Sequence, residues 1–177
     1  FLLIIITILK KKNEFLFIFK SFKKILILSI TACLIAVNWT GFILAVSINK
    51  VQDASMGYFI TPMISIALGY FFLKEKMSFL KILSIIMMIA SIIYLIISLK
   101  TFPFIALIIG TTWGIYGFLR KQVNVSSEIG LLYESAIITI FVTPYLFYLN
   151  FNGSGFFLNH SMSTSFFLIL AGLVTIF

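Results

Sequence analysis

Glu134 is the only carboxylate that the sequence places inside an expected helix, and hydroxyls follow it every four residues at Ser135, Thr139 and Thr143. Steps of four keep those side chains on one helix face. A carboxylate at the end of a hydroxyl stripe has two chemical uses. It can snorkel to water or pair with a basic residue such as Arg120 or Lys121, which is a structural role. Partly desolvated, it can instead exchange a proton or meet a cationic group. Glu134 lies five residues past Ile129, roughly 8 Å into the helix and short of a bilayer midplane.

A second set of polar and helix-breaking residues sits in GYFITPMISIALGYFFLKEK, residues 57–76. Tyr58, Thr61, Ser65 and Gly69 recur at steps of three and four, so they share one stripe. Pro62 leaves a backbone carbonyl without its donor, a deficit that a neighbouring helix, a hydroxyl or cavity water can relieve and lipid cannot. The stripe is either a packing kink or a solute-lining face. Asn38-Trp39 raises the same choice, because a buried amide must hydrogen-bond to another helix or to water. Gly110, Gly114 and Gly117 form a smooth face, and the first two have the GxxxG spacing of closely packed membrane helices, which favours packing. Ser84, Ser91 and Ser98, seven apart, suggest a packed seam.

Other chemistries have no residues to run them. The single Cys33 allows neither a disulfide nor a Cys-rich metal site. The only histidine, His160, falls in an expected external loop and reads as a solvated residue. No Ser/His/Asp set, HExxH motif or phosphate loop is present, so neither an enzyme nor a bound cofactor is expected.

The elements that must position these residues follow from composition. The chain has 177 residues, 62% of them apolar and only 10% charged, with a mean hydropathy of +1.19. That is too little polar surface for a soluble globule, so the expected fold is an all-α membrane-spanning bundle. About 20 apolar residues cross the hydrocarbon core. On that ruler, full helices fall near 25–47, 54–73, 77–99, 102–119 and 129–149, with truncated ones at 1–9 and from 164. Residues 13–22 are too short to span and are expected along the membrane interface. A chain that opens on Phe1 and closes within an apolar run reads as an internal piece of a longer protein.

Orientation comes from the basic residues, which stay cytoplasmic in short loops. With helices alternating in direction, Lys10, Lys11, Lys12, Lys20, Lys23, Lys24, Lys74, Lys76, Lys81, Arg120 and Lys121 share one face, and only Lys50 and Lys100 lie opposite. The net charge of +8 is then a topology signal and an anchor to anionic headgroups, with no nucleic-acid partner implied.

Taken together, VNWTGFILAV, DASMGYFITPMISIALGYFFLKEK, IALIIGTTWGIYGFLRKQV and GLLYESAIITIFVTP resemble the RarD branch of the EamA family, in the drug/metabolite transporter superfamily. The most specific pieces are Asn38-Trp39, Gly57-Tyr58-Phe59 with Pro62, the helix-closing Glu75, Trp113-Gly114 with Tyr116-Gly117, and Tyr133-Glu134. The resemblance implies ten helices in two inverted five-helix repeats. Residues 1–101 would be the end of the first repeat, helices two to five, and 102–177 the start of the second, helices six to eight. One departure is the helix at 77–99, which has Ser84, Met88 and Ser91 where related sequences often carry glycine.

The resemblance further implies a secondary carrier of a small organic solute or drug in the bacterial inner membrane, with a coupling ion such as a proton. Its expected solute pathway is Asn38, Trp39, Tyr58, Thr61, Pro62, Trp113, Tyr116, Glu134, Ser135 and Thr139. Glu75 belongs to a recurring closing motif in the resemblance, while its physical reading is a solvated turn residue between two lysines. The competing classes are a membrane scaffold whose polar residues only pack helices and, more weakly, an intramembrane enzyme.

Overall fold

In a computed structural model, the structure describes residues 18, 19, 21–99, 102–153 and 162–174. Within them every regular element is an α-helix: α1 Phe22–Ser47, α2 Val51–Leu73, α3 Phe79–Leu99, α4 Phe104–Val123, α5 Ser127–Phe151 and α6 Met162–Val174. Uninterrupted apolar runs give this result, since a backbone without water must satisfy its own hydrogen bonds. The expected helix at 1–9, most of 13–22, His160, Lys10, Lys11, Lys12, Lys20 and Lys100 lie outside the described residues.

Helix ends are set by short-range chemistry. Asn49, Lys74 and Asn124 adopt left-handed φ values of 57°, 52° and 49°, which turn the chain at the ends of α1, α2 and α4. Ser78 opens α3, its hydroxyl accepting the Lys81 N–H at 3.3 Å. Several ends differ from the sequence expectation. Helix α1 begins at Phe22, so that residue belongs to the span and not to an interfacial segment. Asp53 and Glu128 stand in the first turns of α2 and α5, where a carboxylate meets the positive end of the helix dipole, so Glu134 is not the only helical carboxylate. Arg120 and Lys121 likewise occupy the last turn of α4, the favourable end for cations.

The chain divides into two compact units, one of Ile18–Val125 with α1 to α4 and one containing Ser126–Phe177 with α5 and α6. In the first unit α4 is the hub, packing most extensively on α2 and next on α1, while α3 packs chiefly along α2, with Ile92 and Leu95 against the cluster of Met56, Ile60 and Ala106. Helices α1, α2, α3 and α5 are long and apolar enough to cross a membrane. Helix α4, expected to be a full span, does not reach that hydropathy. Its Gly110-Thr-Thr-Trp-Gly114 stretch instead faces helix neighbours, where small and polar side chains pack better than they dissolve in lipid.

Helix α3 has no buried residue among those described, so Ser84 and Ser91 form no packed seam with the described residues. Their hydroxyls turn back to their own helix, on Leu80 O and Met87 O at 2.9 Å each.

Candidate functional site

Helices α2 and α4 lie side by side in parallel. A methyl group built on Gly57 would stand 2.7 Å from Ile109 Cγ2 and 3.2 Å from Ala106 O. One on Gly110 would stand 2.6 Å from Ile60 Cβ and 2.9 Å from Gly57 O, and one on Gly114 2.6 Å from Ile64 Cγ2. Residue numbers rise together on both helices, which defines the parallel register. Each glycine accepts an isoleucine from the facing helix, so no larger residue fits.

Helix α1 closes on α4 in the opposite sense. Asn38 is buried in that interface and donates both amide hydrogens across it, to Ile109 O at 2.8 Å and Thr112 Oγ1 at 3.0 Å. Gly41, one turn later on α1, faces Ile109 and Ile108.

These directions place Lys23, Lys24, Lys74, Lys76, Lys81, Arg120 and Lys121 at one end of the unit and Lys50 at the other, the grouping expected from charge. The basic end is where α2 and α4 part. Between them lies a cleft of about 370 Å³ lined by Ser65, Gly69 and Leu73 from α2 and by Gly117, Phe118 and Lys121 from α4, with Glu75 across its rim. Gly117 has nothing within 4 Å of a built methyl group, so it opens onto this space and is not part of the glycine seam. Phe118 packs against Phe72 with ring centroids 5.5 Å apart.

Glu75 reaches the cleft because α2 stops abruptly. After left-handed Lys74 the chain folds back, and the Glu75 N–H donates to Gly69 O at 3.2 Å. The carboxylate then rests over Gly69, where a methyl group would meet Glu75 Oε2 at 3.1 Å. From there it accepts a hydrogen bond from Lys121 Nζ at 3.1 Å. Glu75 is an exposed turn residue, as its place between two lysines implies, and it also ties the end of α2 to that of α4. With the two side chains 45% and 66% exposed, the pair contributes about 1 kcal/mol at most. Its position matters more than its energy.

The expected pathway residues do not converge on this cleft. Asn38 is consumed by the α1–α4 interface, and Thr61 sits half-buried at the α2–α4 seam, its hydroxyl donating to Gly57 O at 3.0 Å. That bond leaves the Tyr58 carbonyl, whose donor Pro62 removes, without help from Thr61. Trp39, Tyr58 and Pro62 are exposed, with Tyr58 edge-on to Phe42 at 6.5 Å. Trp113 and Tyr116 are half-buried and stack with centroids 5.0 Å apart and planes 14° from parallel.

In the second unit Glu134 is fully buried, seven residues past Ser127 and so about 10 Å into α5. Ser135 is half-buried and Thr139 exposed, its hydroxyl donating to Ser135 O at 2.7 Å. Sequence reasoning passed over Glu75, Gly117, Phe118 and Lys121 as site residues. The available signal was one carboxylate among lysines at an end where only cations were needed for topology.

Apolar helices joined by short turns, with basic residues gathered at one end, define a multi-pass α-helical membrane protein. Protein RarD of Escherichia coli (strain K12) is 30% identical over 175 residues, covering 99% of this chain and 59% of that protein. The uncharacterized transporter YojE of Bacillus subtilis (strain 168) is 34% identical over 132 residues, 73% of the chain and 44% of that protein. An uncharacterized transporter of Vibrio cholerae is 29% identical over 153 residues, 86% of the chain and 51% of that protein. The chain is similar over most of its length to these RarD and transporter sequences and is a multi-pass protein of the bacterial inner membrane. It spans about three fifths of the length of the RarD proteins of Escherichia coli and Salmonella typhi. No family model and no solved structure matches it.

Proposed function

We propose that the chain is part of a secondary carrier that moves a small organic solute by rocking one helix group against another. The observation that carries this reading is the contrast along α2 and α4: glycine and isoleucine interlock over part of their length, and the helices part into a cleft at the basic end, apolar along most of its wall with Glu75 and Lys121 at its mouth. A seam that cannot widen locally beside a cleft that can is a hinge-and-opening geometry. With the repeat boundary at Lys100 to Pro103, α2 belongs to the first repeat and α4 opens the second, so in this reading the seam is where the repeats bear on each other.

In this reading Trp113 and Tyr116 flank the route, and buried Glu134 with Ser135 and Thr139 supplies a polar face of the second repeat. A proton is the coupling ion that a buried carboxylate can carry. The transporter names of the relatives support a carrier over an enzyme.

The test is counterflow in proteoliposomes made with the complete protein, using labelled amino acids, nucleosides, weak acids and amphenicols. Saturable uptake of at least one solute is expected; none in any class would leave a membrane scaffold. Glu134→Gln should leave membrane expression intact and flatten the pH dependence of flux. An unchanged pH profile would remove the proton from the scheme.

A further inference from the structure

The cleft at the basic end has a chemical bias that points to a ligand class. Among the described residues of the first unit, Glu75 is the one carboxylate at this end, against Lys74, Lys76, Lys81, Arg120 and Lys121. Lys121 is the cation that lines the cleft, and its partner is held from outside, on a turn fixed by left-handed Lys74 and the Glu75 N–H bond to Gly69 O. The Glu75 carboxylate occupies space that Gly69 leaves by having no side chain.

A second group also faces the space. Hydroxyls on Thr61, Ser84 and Ser91 bond to their own helix carbonyls, whereas Ser65 in the cleft wall makes no hydrogen bond among the described residues. Leu73 and Phe118 make the rest of the wall apolar, with Phe118 presenting an aromatic ring.

We propose that this cleft binds a small organic carboxylate with an apolar or aromatic body, its anionic end on Lys121 and Ser65, and that Glu75 is a tethered competitor for Lys121. A carboxylate of a solute can replace the carboxylate of Glu75 at equal charge, so the exchange leaves Lys121 paired throughout. A cation would have to displace Lys121 from Glu75 against the surrounding basic residues. Gly117 keeps the opposite wall clear for the solute body. This inference rests on the carrier reading and names the solute class for it.

The experiment is equilibrium binding of labelled benzoate to the complete protein in detergent, with benzamide and benzylamine as neutral and cationic competitors of similar shape. Unlabelled benzoate should compete, and benzamide and benzylamine should not. Glu75→Gln should tighten benzoate binding about two- to fivefold, the scale of an exposed ion pair removed as competitor. Lys121→Gln should weaken it at least tenfold and Lys121→Arg should restore it. If Lys121→Gln does not fold, the Glu75→Gln tightening decides alone.

No benzoate binding, equal competition by benzylamine, or unchanged affinity in Glu75→Gln would overturn the site. Displacement of benzoate by phosphatidylglycerol in mixed micelles would assign Lys121 to a lipid headgroup and overturn it as well. Benzoate binding without counterflow of any solute would sink the carrier and leave the site standing. Counterflow without benzoate binding would do the reverse.

Discussion

Gly114 and Gly117 stand three residues apart on α4 and do opposite things. A methyl group on Gly114 would overlap Ile64 of α2 at 2.6 Å, whereas one on Gly117 would meet nothing within 4 Å. Between them α2 and α4 pass from interlocked to parted. The difference teaches that a glycine in a membrane helix is defined by what faces it. One lets two helices touch, and the other keeps a cleft open.

The largest effect expected from breaking this contrast is at the closed end. Gly110→Leu would drive a side chain into Ile60 and the Gly57 backbone, at a cost of about 3 kcal/mol or more. Loss of monodisperse protein and of membrane expression would register it. Wild-type thermal stability in that variant would mean the helices are not packed as described.

At the open end the same change should be silent for folding. Gly117→Leu puts a side chain into the cleft from a Cβ position that meets no neighbour, so melting temperature should hold while solute flux falls more than tenfold. Full flux with the cleft filled would show that solute takes another route.

A smaller loss is expected where α1 is fastened to α4. Asn38→Leu removes the two bonds from α1 to Ile109 O and Thr112 Oγ1, which keep their contacts within α4, and should destabilise by about 1 kcal/mol, the usual scale of a hydrogen bond between membrane helices. Thermal unfolding of the detergent-solubilised protein reads it directly. A larger effect on flux than on stability would give Asn38 the solute contact that its sequence position allowed.

The smallest stability effect belongs to the exposed pair. Exchanging the charges, with Glu75→Lys and Lys121→Glu together, should shift stability by well under about 1 kcal/mol, because both side chains are partly in water. Cross-linking of cysteines placed at positions 75 and 121 should nonetheless succeed, since the two residues meet across the ends of α2 and α4. Failure to cross-link would separate those helix ends.

The legible part of the molecule was the part governed by short-range rules. Apolar run length placed α1, α2, α3 and α5 to within a few residues, because spanning the hydrocarbon depends on consecutive residues alone. The lysines marked one end of the bundle, and GxxxG at Gly110 and Gly114 marked a close helix contact. The misreadings came where local pattern had no view of the facing helix. Gly117 shares a sequence motif with Gly114, Ser84 and Ser91 share a period, and Glu75 sits between two lysines, yet none of these patterns states its neighbour.

Residue types and their spacing thus determined by themselves that this is an all-helical, multi-pass membrane protein with a basic end, since a bilayer imposes the same length and charge rules on every segment. Only the tertiary structure decided that Asn38 bonds to residues 71 and 74 positions away and that Glu75 meets Lys121 46 positions away. Those pairings depend on the register in which α1 and α2 lie on α4. Register is set by the glycine–isoleucine interlock between distant segments, and no single segment contains it.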